Sequence, residues 1–184
     1  GSVFLYHGSK AGLPVTSQQW YFESQEDDSF WGKCVAGAGD VNGDGYSDIV
    51  IGSPGYTNEQ DYEGAAYLFY GSHYGITSND FWVGEINQAY ASFGKSVSSA
   101  GDVNGDGYSD VIIGAPDYDD GEGNEGGAFV YHGGPNGITG MTPSWQNSSN
   151  QEYGSYGSSV ATAGDVNGDG FSDIIIGAYS YDLF

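Results

Sequence analysis

The sequence predicts an all-β chain built from four-stranded propeller blades, and three observations carry that reading. A stretch of acidic and small residues recurs three times at a period near 62 residues. Short apolar, β-branched or aromatic runs alternate with clusters of Gly, Pro, Asn and Asp, and no stretch of ten or more residues shows a helical period. Each period holds four such runs, and a unit of that size buries its faces only by stacking on a neighbour.

The repeat is nearly literal. AGDVNGDGYSDIVIGSP spans Ala38 to Pro54, AGDVNGDGYSDVIIGAP spans Ala100 to Pro116, and AGDVNGDGFSDIIIGAY spans Ala163 to Tyr179. Their first aspartates, Asp40, Asp102 and Asp165, lie 62 and 63 residues apart. Trp20, Trp82 and Trp145 keep the same spacing, as do Gly8, Gly71 and Gly133. The whole chain, 1–184, therefore reads as one propeller unit with repeats at approximately 1–63, 64–126 and 127–184 and no separate linker.

Within a repeat, GKCVAGAG, GKSVSSAG and GSSVATAG are rich in small residues, which suits a first strand crowded by neighbouring backbones. DIVIG, DVIIG and DIIIG are continuous β-branched runs, the pattern of a second strand buried on both faces. AYLFYG and AFVYHG mix aromatic and aliphatic side chains and read as third strands. The less regular segments around the three tryptophans read as fourth, edge strands. In this register the chain starts in mid-blade: residues 1–24 supply the third and fourth strands of one blade, and residues 156–180 the first and second of another.

Composition narrows the function. The 184 residues carry 25 Asp plus Glu against three Lys and no Arg, a formal net charge of −22. Such a surface repels phosphate backbones and anionic lipid, which argues against nucleic acid and membrane surfaces. The longest apolar run, Ala65 to Tyr70, is six residues, far short of a membrane span. No signal-peptide pattern is visible, so the chain reads as a mature form, an excised piece or a cytosolic protein. Aromatic residues at 16% argue against disorder, and 33 Gly without a three-residue period argue for turns rather than collagen.

The repeated nonapeptide DVNGDGYSD explains much of the acidity. It offers side-chain oxygens at positions 1, 3, 5 and 9 and a backbone carbonyl at position 7, with Gly at positions 4 and 6 to permit a tight wrap. The first copy presents Asp40, Asn42, Asp44 and Asp48 with the Tyr46 carbonyl. The second presents Asp102, Asn104, Asp106 and Asp110 with the Tyr108 carbonyl, and the third Asp165, Asn167, Asp169 and Asp173 with the Phe171 carbonyl. Oxygen donors on alternate residues suit Ca²⁺, at three sites per chain, better than the stricter Mg²⁺. No thiolate or imidazole is nearby, which disfavours Zn²⁺ and Cu²⁺. A plain Asn-Gly hairpin would need only its two turn residues, not three mutually repelling carboxylates. The loop departs from an EF-hand, because position 12 is Ile51, Ile113 or Ile176 rather than a bidentate Glu.

Aromatic-Gly pairs precede each nonapeptide, at Trp31-Gly32, Phe93-Gly94 and Tyr156-Gly157; Gly52-Ser53-Pro54, Gly114-Ala115-Pro116 and Gly177-Ala178-Tyr179 follow them. With these flanks the chain resembles the FG-GAP repeat of the integrin α-subunit β-propeller and its prokaryotic relatives. The second repeat matches most closely, and the third lacks the Pro. The resemblance implies that the flanking pieces brace the loop, that Ca²⁺ sits on one face of the ring, and that ligands bind through loops of the other face. It also implies a role in adhesion, carbohydrate binding or protein docking, with no chemistry of its own.

Family propellers usually have seven blades, whereas three repeats cannot comfortably close. Two chains pairing head to tail would give a six-bladed ring, each contributing half of two composite blades; an excerpt of a longer propeller is the alternative. The loops Ser53–Glu63 and Ala115–Gly126 differ between repeats, lie by strand order opposite the acidic nonapeptides, and are candidates for a protein or glycan ligand. Millimolar-range affinity, as in extracellular calcium modules, would place the chain outside the cell or on its surface. Adhesion or docking leads; a lectin, an accessory domain of a secreted enzyme, and an amplified or engineered scaffold are the other readings. No enzyme is expected: Cys34 aligns with Ser96 and Ser159, His7 and His132 align with Tyr70, and His73 sits in a turn-like GSHYG. Trp20, Trp82 and Trp145 read as blade packing rather than sugar platforms, and Asn147-Ser148-Ser149 is a glycosylation sequon.

Overall fold

The computed structural model describes residues 1–14 and 18–182, in which twelve strands and no helix are found. Among the described residues, no helix is long and apolar enough to cross a membrane. Strands β3 (Cys34–Gly39), β4 (Asp48–Ser53), β5 (Ala65–Phe69) and β6 (Phe81–Gly84) form one antiparallel blade in sequential order. Strands β7 (Ser96–Gly101), β8 (Asp110–Ala115), β9 (Gly127–Tyr131) and β10 (Trp145–Ser148) form the next. Two-stranded half-blades flank them: β1 (Ser2–Leu5) with β2 (Trp20–Glu23), and β11 (Tyr156–Gly164) with β12 (Asp173–Ala178). The β-propeller blades expected from the sequence are thus the observed fold, as two whole blades between two halves.

Register repeats from blade to blade. Ile51 faces Tyr67 and Val50 faces Leu68 in one blade; Ile113 faces Phe129 and Ile112 faces Val130 in the next. At the end of each first strand the pairing slips at Gly39, Gly101 and Gly164, which adopt φ of 80°, 75° and 69°. Such a bulge turns the chain out of the sheet and into the nonapeptide.

The core lies between blades rather than within them. Side chains alternate across each sheet, so Val50, Ala66 and Leu68 pack forward onto Val97, Ile113, Phe129 and Tyr131 of the following blade. Ile51 and Phe69 pack backward onto Trp20, Trp31 and the β1–β2 half-blade. Ile112 and Val130 pack forward onto Val160, Ile174 and Ile176. The aromatics of the first two aromatic-Gly pairs are buried in the core: Trp31 packs with Ile51 and Phe69, and Phe93 is fully buried and meets Phe129 edge-on at 5.5 Å.

Glycine at the junction is enforced by close backbone approach. A Cβ on Gly52 would stand 1.9 Å from the carbonyl oxygen of Gly94, and one on Gly114 2.0 Å from that of Gly157. The Gly of one repeat's Gly-(Ser/Ala)-Pro piece therefore abuts the aromatic-Gly of the next repeat. The flanking motifs also bond within one repeat, the Gly32 and Gly94 amides donating to the Gly52 and Gly114 carbonyls at 3.1 Å, so they join both the repeat to itself and each repeat to the next.

Trp20 and Trp82 are buried, with indole N–H groups donating to Ser78 Oγ at 3.2 Å and to the Gly140 carbonyl at 3.0 Å. Trp145 is 39% exposed, because the half-blade that follows it lacks the outer strands that would cover this position. Cys34 is half-buried, with its thiol 3.8 Å from the Val97 carbonyl, where the aligned Ser96 hydroxyl instead donates to Gly157 at 2.8 Å.

Candidate metal centre

The nonapeptides join first to second strands, so all three lie at one end of their blades. Gly at positions 4 and 6 has positive φ in every copy, 72° and 90°, 75° and 91°, 77° and 93°. These conformations are cheap only for glycine, and they curl the loop around its own side chains.

In the second copy, Asp102 Oδ1 accepts the amides of Gly105 at 2.7 Å and Asp106 at 3.1 Å, while its Oδ2 accepts Gly107 at 2.9 Å. Asn104 Oδ1 accepts the same Asp106 amide at 2.9 Å, and its Nδ2 donates to Asp106 Oδ2, also at 2.9 Å. Asp106 Oδ1 takes the Tyr108 amide at 3.0 Å. Positions 1, 3 and 5 are thus drawn into one network, repeated by Asp40, Asn42 and Asp44 and by Asp165, Asn167 and Asp169.

Position 9 stands apart from that network. Asp110 is buried, its Oδ2 accepting the Val103 amide at 2.8 Å and its Oδ1 the Gly133 amide at 2.9 Å, which ties the loop to the end of β9. Asp48 does the same with Val41 and Gly71, both at 2.8 Å. In the third copy Asp173 accepts Val166 at 2.8 Å. Burial pushes the carboxyls of Asp48 and Asp110 above the ordinary carboxylate range, against the amides that favour their charged form. Asp165, fully exposed, is held below that range by the amide of Gly170 and then those of Gly168 and Asp169.

Among the described residues, no three His, Cys, Asp or Glu side chains are grouped closely enough to form a metal cluster; the carboxylates are turned onto loop amides. The donor set still fits a hard cation. It is oxygen throughout, and a carboxylate oxygen that accepts one amide keeps a second lone pair for coordination.

Position 7 does more than the sequence suggests. The Tyr108 ring covers Gly43 of the preceding loop so closely that a Cβ there would lie 2.4 Å from it, and Phe171 covers Gly105 in the same way at 2.6 Å. The amides at position 8, Ser109 and Ser172, donate to the Asp40 and Asp102 carbonyls at 2.9 Å. Each loop therefore locks onto the one before it. The missed signal was aromatic identity at position 7 in all three copies.

The connections Ser53–Glu63 and Ala115–Gly126 leave the far ends of β4 and β8 and so lie opposite the nonapeptides, as their strand order predicts. They are ordered rather than loose. Gln88 clamps Asp119 of the second connection through its amide at 2.7 Å and its carbonyl at 2.9 Å, and Gln151 holds the equivalent Asp182 after β12 in the same way, at 2.9 Å twice. Tyr62 and Tyr90 stack on this face at 5.9 Å with both rings exposed.

The FG-GAP repeat pattern matches residues 35–69, 93–131 and 156–183, centred on the three nonapeptides and their flanks. The chain belongs to the FG-GAP repeat family. Integrin alpha-4 of Xenopus laevis is 32% identical over 157 residues, covering 84% of this chain and 15% of that protein. Integrin alpha-6 of Gallus gallus is 34% identical over 188 residues, 98% of this chain and 16% of the relative. Integrin alpha-PS2 of Drosophila melanogaster is 35% identical over 155 residues, 78% and 11% respectively. This FG-GAP chain therefore spans less than a fifth of the length of these relatives.

Proposed function

We propose that the chain is a calcium-stabilised FG-GAP propeller module for non-catalytic binding, serving cell adhesion or protein docking outside the cell or on its surface. Three Ca²⁺ ions would be held by Asp40, Asn42, Asp44 and Asp48 with the Tyr46 carbonyl, and by the equivalent sets from Asp102 and from Asp165. When bound, the ion supplies the counter-charge to three carboxylates per loop. The observation that carries the reading is the interlock, since an ion that rigidifies one loop also fixes the carbonyl and glycine on which the next loop rests. One face is thereby committed to structure, and the other is left to vary.

On that other face, the exposed Tyr62–Tyr90 stack supplies rigid aromatic area of the kind enriched at protein interfaces. The similarity to integrin α subunits supports adhesion as the context. The lectin reading loses two of its platforms, because Trp20 and Trp82 are buried. The Ca²⁺-loaded chain is expected to give no specific signal on a glycan array. A glycan retained by the wild type and lost with Tyr62→Ala would replace docking by sugar recognition. Self-association that closes the ring is part of the same proposal.

A further inference from the structure

Glu63 and Glu125 occupy the same place in the two whole blades, just before the third strand, and both side chains are fully buried. Glu63 Oε1 accepts the Asn58 amide at 2.9 Å. Glu125 Oε1 accepts the amides of Asp120 and, at 3.3 Å, Glu122. In both blades the second oxygen, Oε2, is buried and has no hydrogen-bond partner. Native structures rarely leave such an oxygen alone, and an ionised carboxylate buried without a partner is strongly disfavoured. The chain has three Lys and no Arg to offer against 25 carboxylates.

A second carboxylate accompanies each buried one, but it comes from a different element. In the first blade it is Glu85, just after β6, whose Oε1 lies 3.5 Å from the Asn58 side-chain amide. In the second it is Asp120 in the loop itself, whose Oδ2 accepts the Ser148 hydroxyl at 3.4 Å. Asn58 and Asp120 are equivalent in the repeat, as are Glu85 and Ser148. Acid and neutral partner have exchanged places, and one carboxylate has been kept. A cation between the two would be balanced by both carboxylates.

We propose that Glu63 and Glu125 each form the floor of a second class of cation site, opposite the nonapeptides, with the carboxylates of Glu85 and Asp120 at the two mouths. The donors are oxygen only, so the ligand is a hard cation of the calcium type. These sites tie the fourth-strand exit or the variable loop to the start of the third strand. They stand independently of the three nonapeptide cages.

Calcium bound per chain, measured by equilibrium dialysis with elemental analysis, tests this. The wild type is expected to hold two more equivalents than Glu63→Gln/Glu125→Gln. A second variant, Glu85→Gln/Asp120→Asn, alters less buried side chains and is expected to lose the same two equivalents at limiting calcium, which decides the matter if the first fails to fold. Equal stoichiometry in the wild type and the mouth variant overturns the proposal. Failure of the nonapeptide cages would instead lower all three proteins by three equivalents and leave the difference intact.

Discussion

Chelation with EDTA is expected to lower the melting temperature by roughly 15–30 °C. At free calcium about a hundredfold above its dissociation constant, one site adds about 2.7 kcal/mol, so three nonapeptide sites add about 8 kcal/mol. A domain of this size loses about 2–4 °C per kcal/mol, and its whole margin is about 5–15 kcal/mol. The effect is amplified by structure, because Tyr108 and Phe171 rest on glycines of the preceding loops. Once one loop loosens, the next loses its footing. Asp106→Ala, which removes one cage, is expected to remove at least a third of the nonapeptide contribution to the calcium-dependent shift while leaving the EDTA melting temperature close to that of the wild type in EDTA. Differential scanning calorimetry in calcium and in EDTA reads both. A melting curve that ignores EDTA contradicts calcium stabilisation.

In calcium the isolated 184-residue chain is expected to have a solution mass twice the 19.3 kDa of one chain. The two half-blades have complementary free edges, β12 with the two inner strands and β1 with the two outer ones. The apolar positions that neighbouring blades cover in mid-chain are bare at the ends. Val97 is 4% exposed but its equivalent Val35 is 55%; Val50 and Ile112 are 0% exposed but Ile175 is 61%; Val41 is 0% exposed but Val166 is 72%. Phe4 and Tyr6, equivalent to the buried Phe129 and Tyr131, are exposed as well. Bare faces and unpaired edges of this kind seek partners.

A second copy would satisfy both ends at once and bring the ring to six blades, within the range that closes. The register follows from the whole blades. Ser53 pairs with Ala65 and Ala115 with Gly127, so Ala178 of one chain would pair with Ser2 of the other. Cysteines at these two positions, in a Cys34→Ser background, are expected to form an intermolecular disulfide, since paired residues across antiparallel strands have the needed separation. Light scattering at one chain mass with a folded far-ultraviolet spectrum contradicts this closure.

Much of this molecule was legible in its sequence because each repeat is a copy that checks the others. Strand order, blade register and the location of the nonapeptides follow from the spacing of Asp40, Asp102 and Asp165 and from the DIVIG-type runs. What a single repeat does to its neighbour was not legible. Gly52 and Gly94 stand far apart in sequence, and nothing in composition says that their backbones meet. That Asp48 and Asp110 are also buried and accept amides from two segments is not visible in the nonapeptide itself. Trp145 carries the same periodicity as Trp20 and Trp82, yet its exposure depends on strands outside its own blade. In the acidic loops opposite the cages, a buried Glu63 or Glu125 is indistinguishable in sequence from its exposed acidic neighbours.

The nonapeptide cages are tested most directly by a crystal structure of the chain grown in millimolar calcium. The account requires an ion in each loop, bound in the second repeat by Asp102, Asn104, Asp106, Asp110 and the Tyr108 carbonyl, with oxygen distances of about 2.3–2.6 Å. Loops that keep the same folded path in millimolar calcium with no ion among those residues would contradict it.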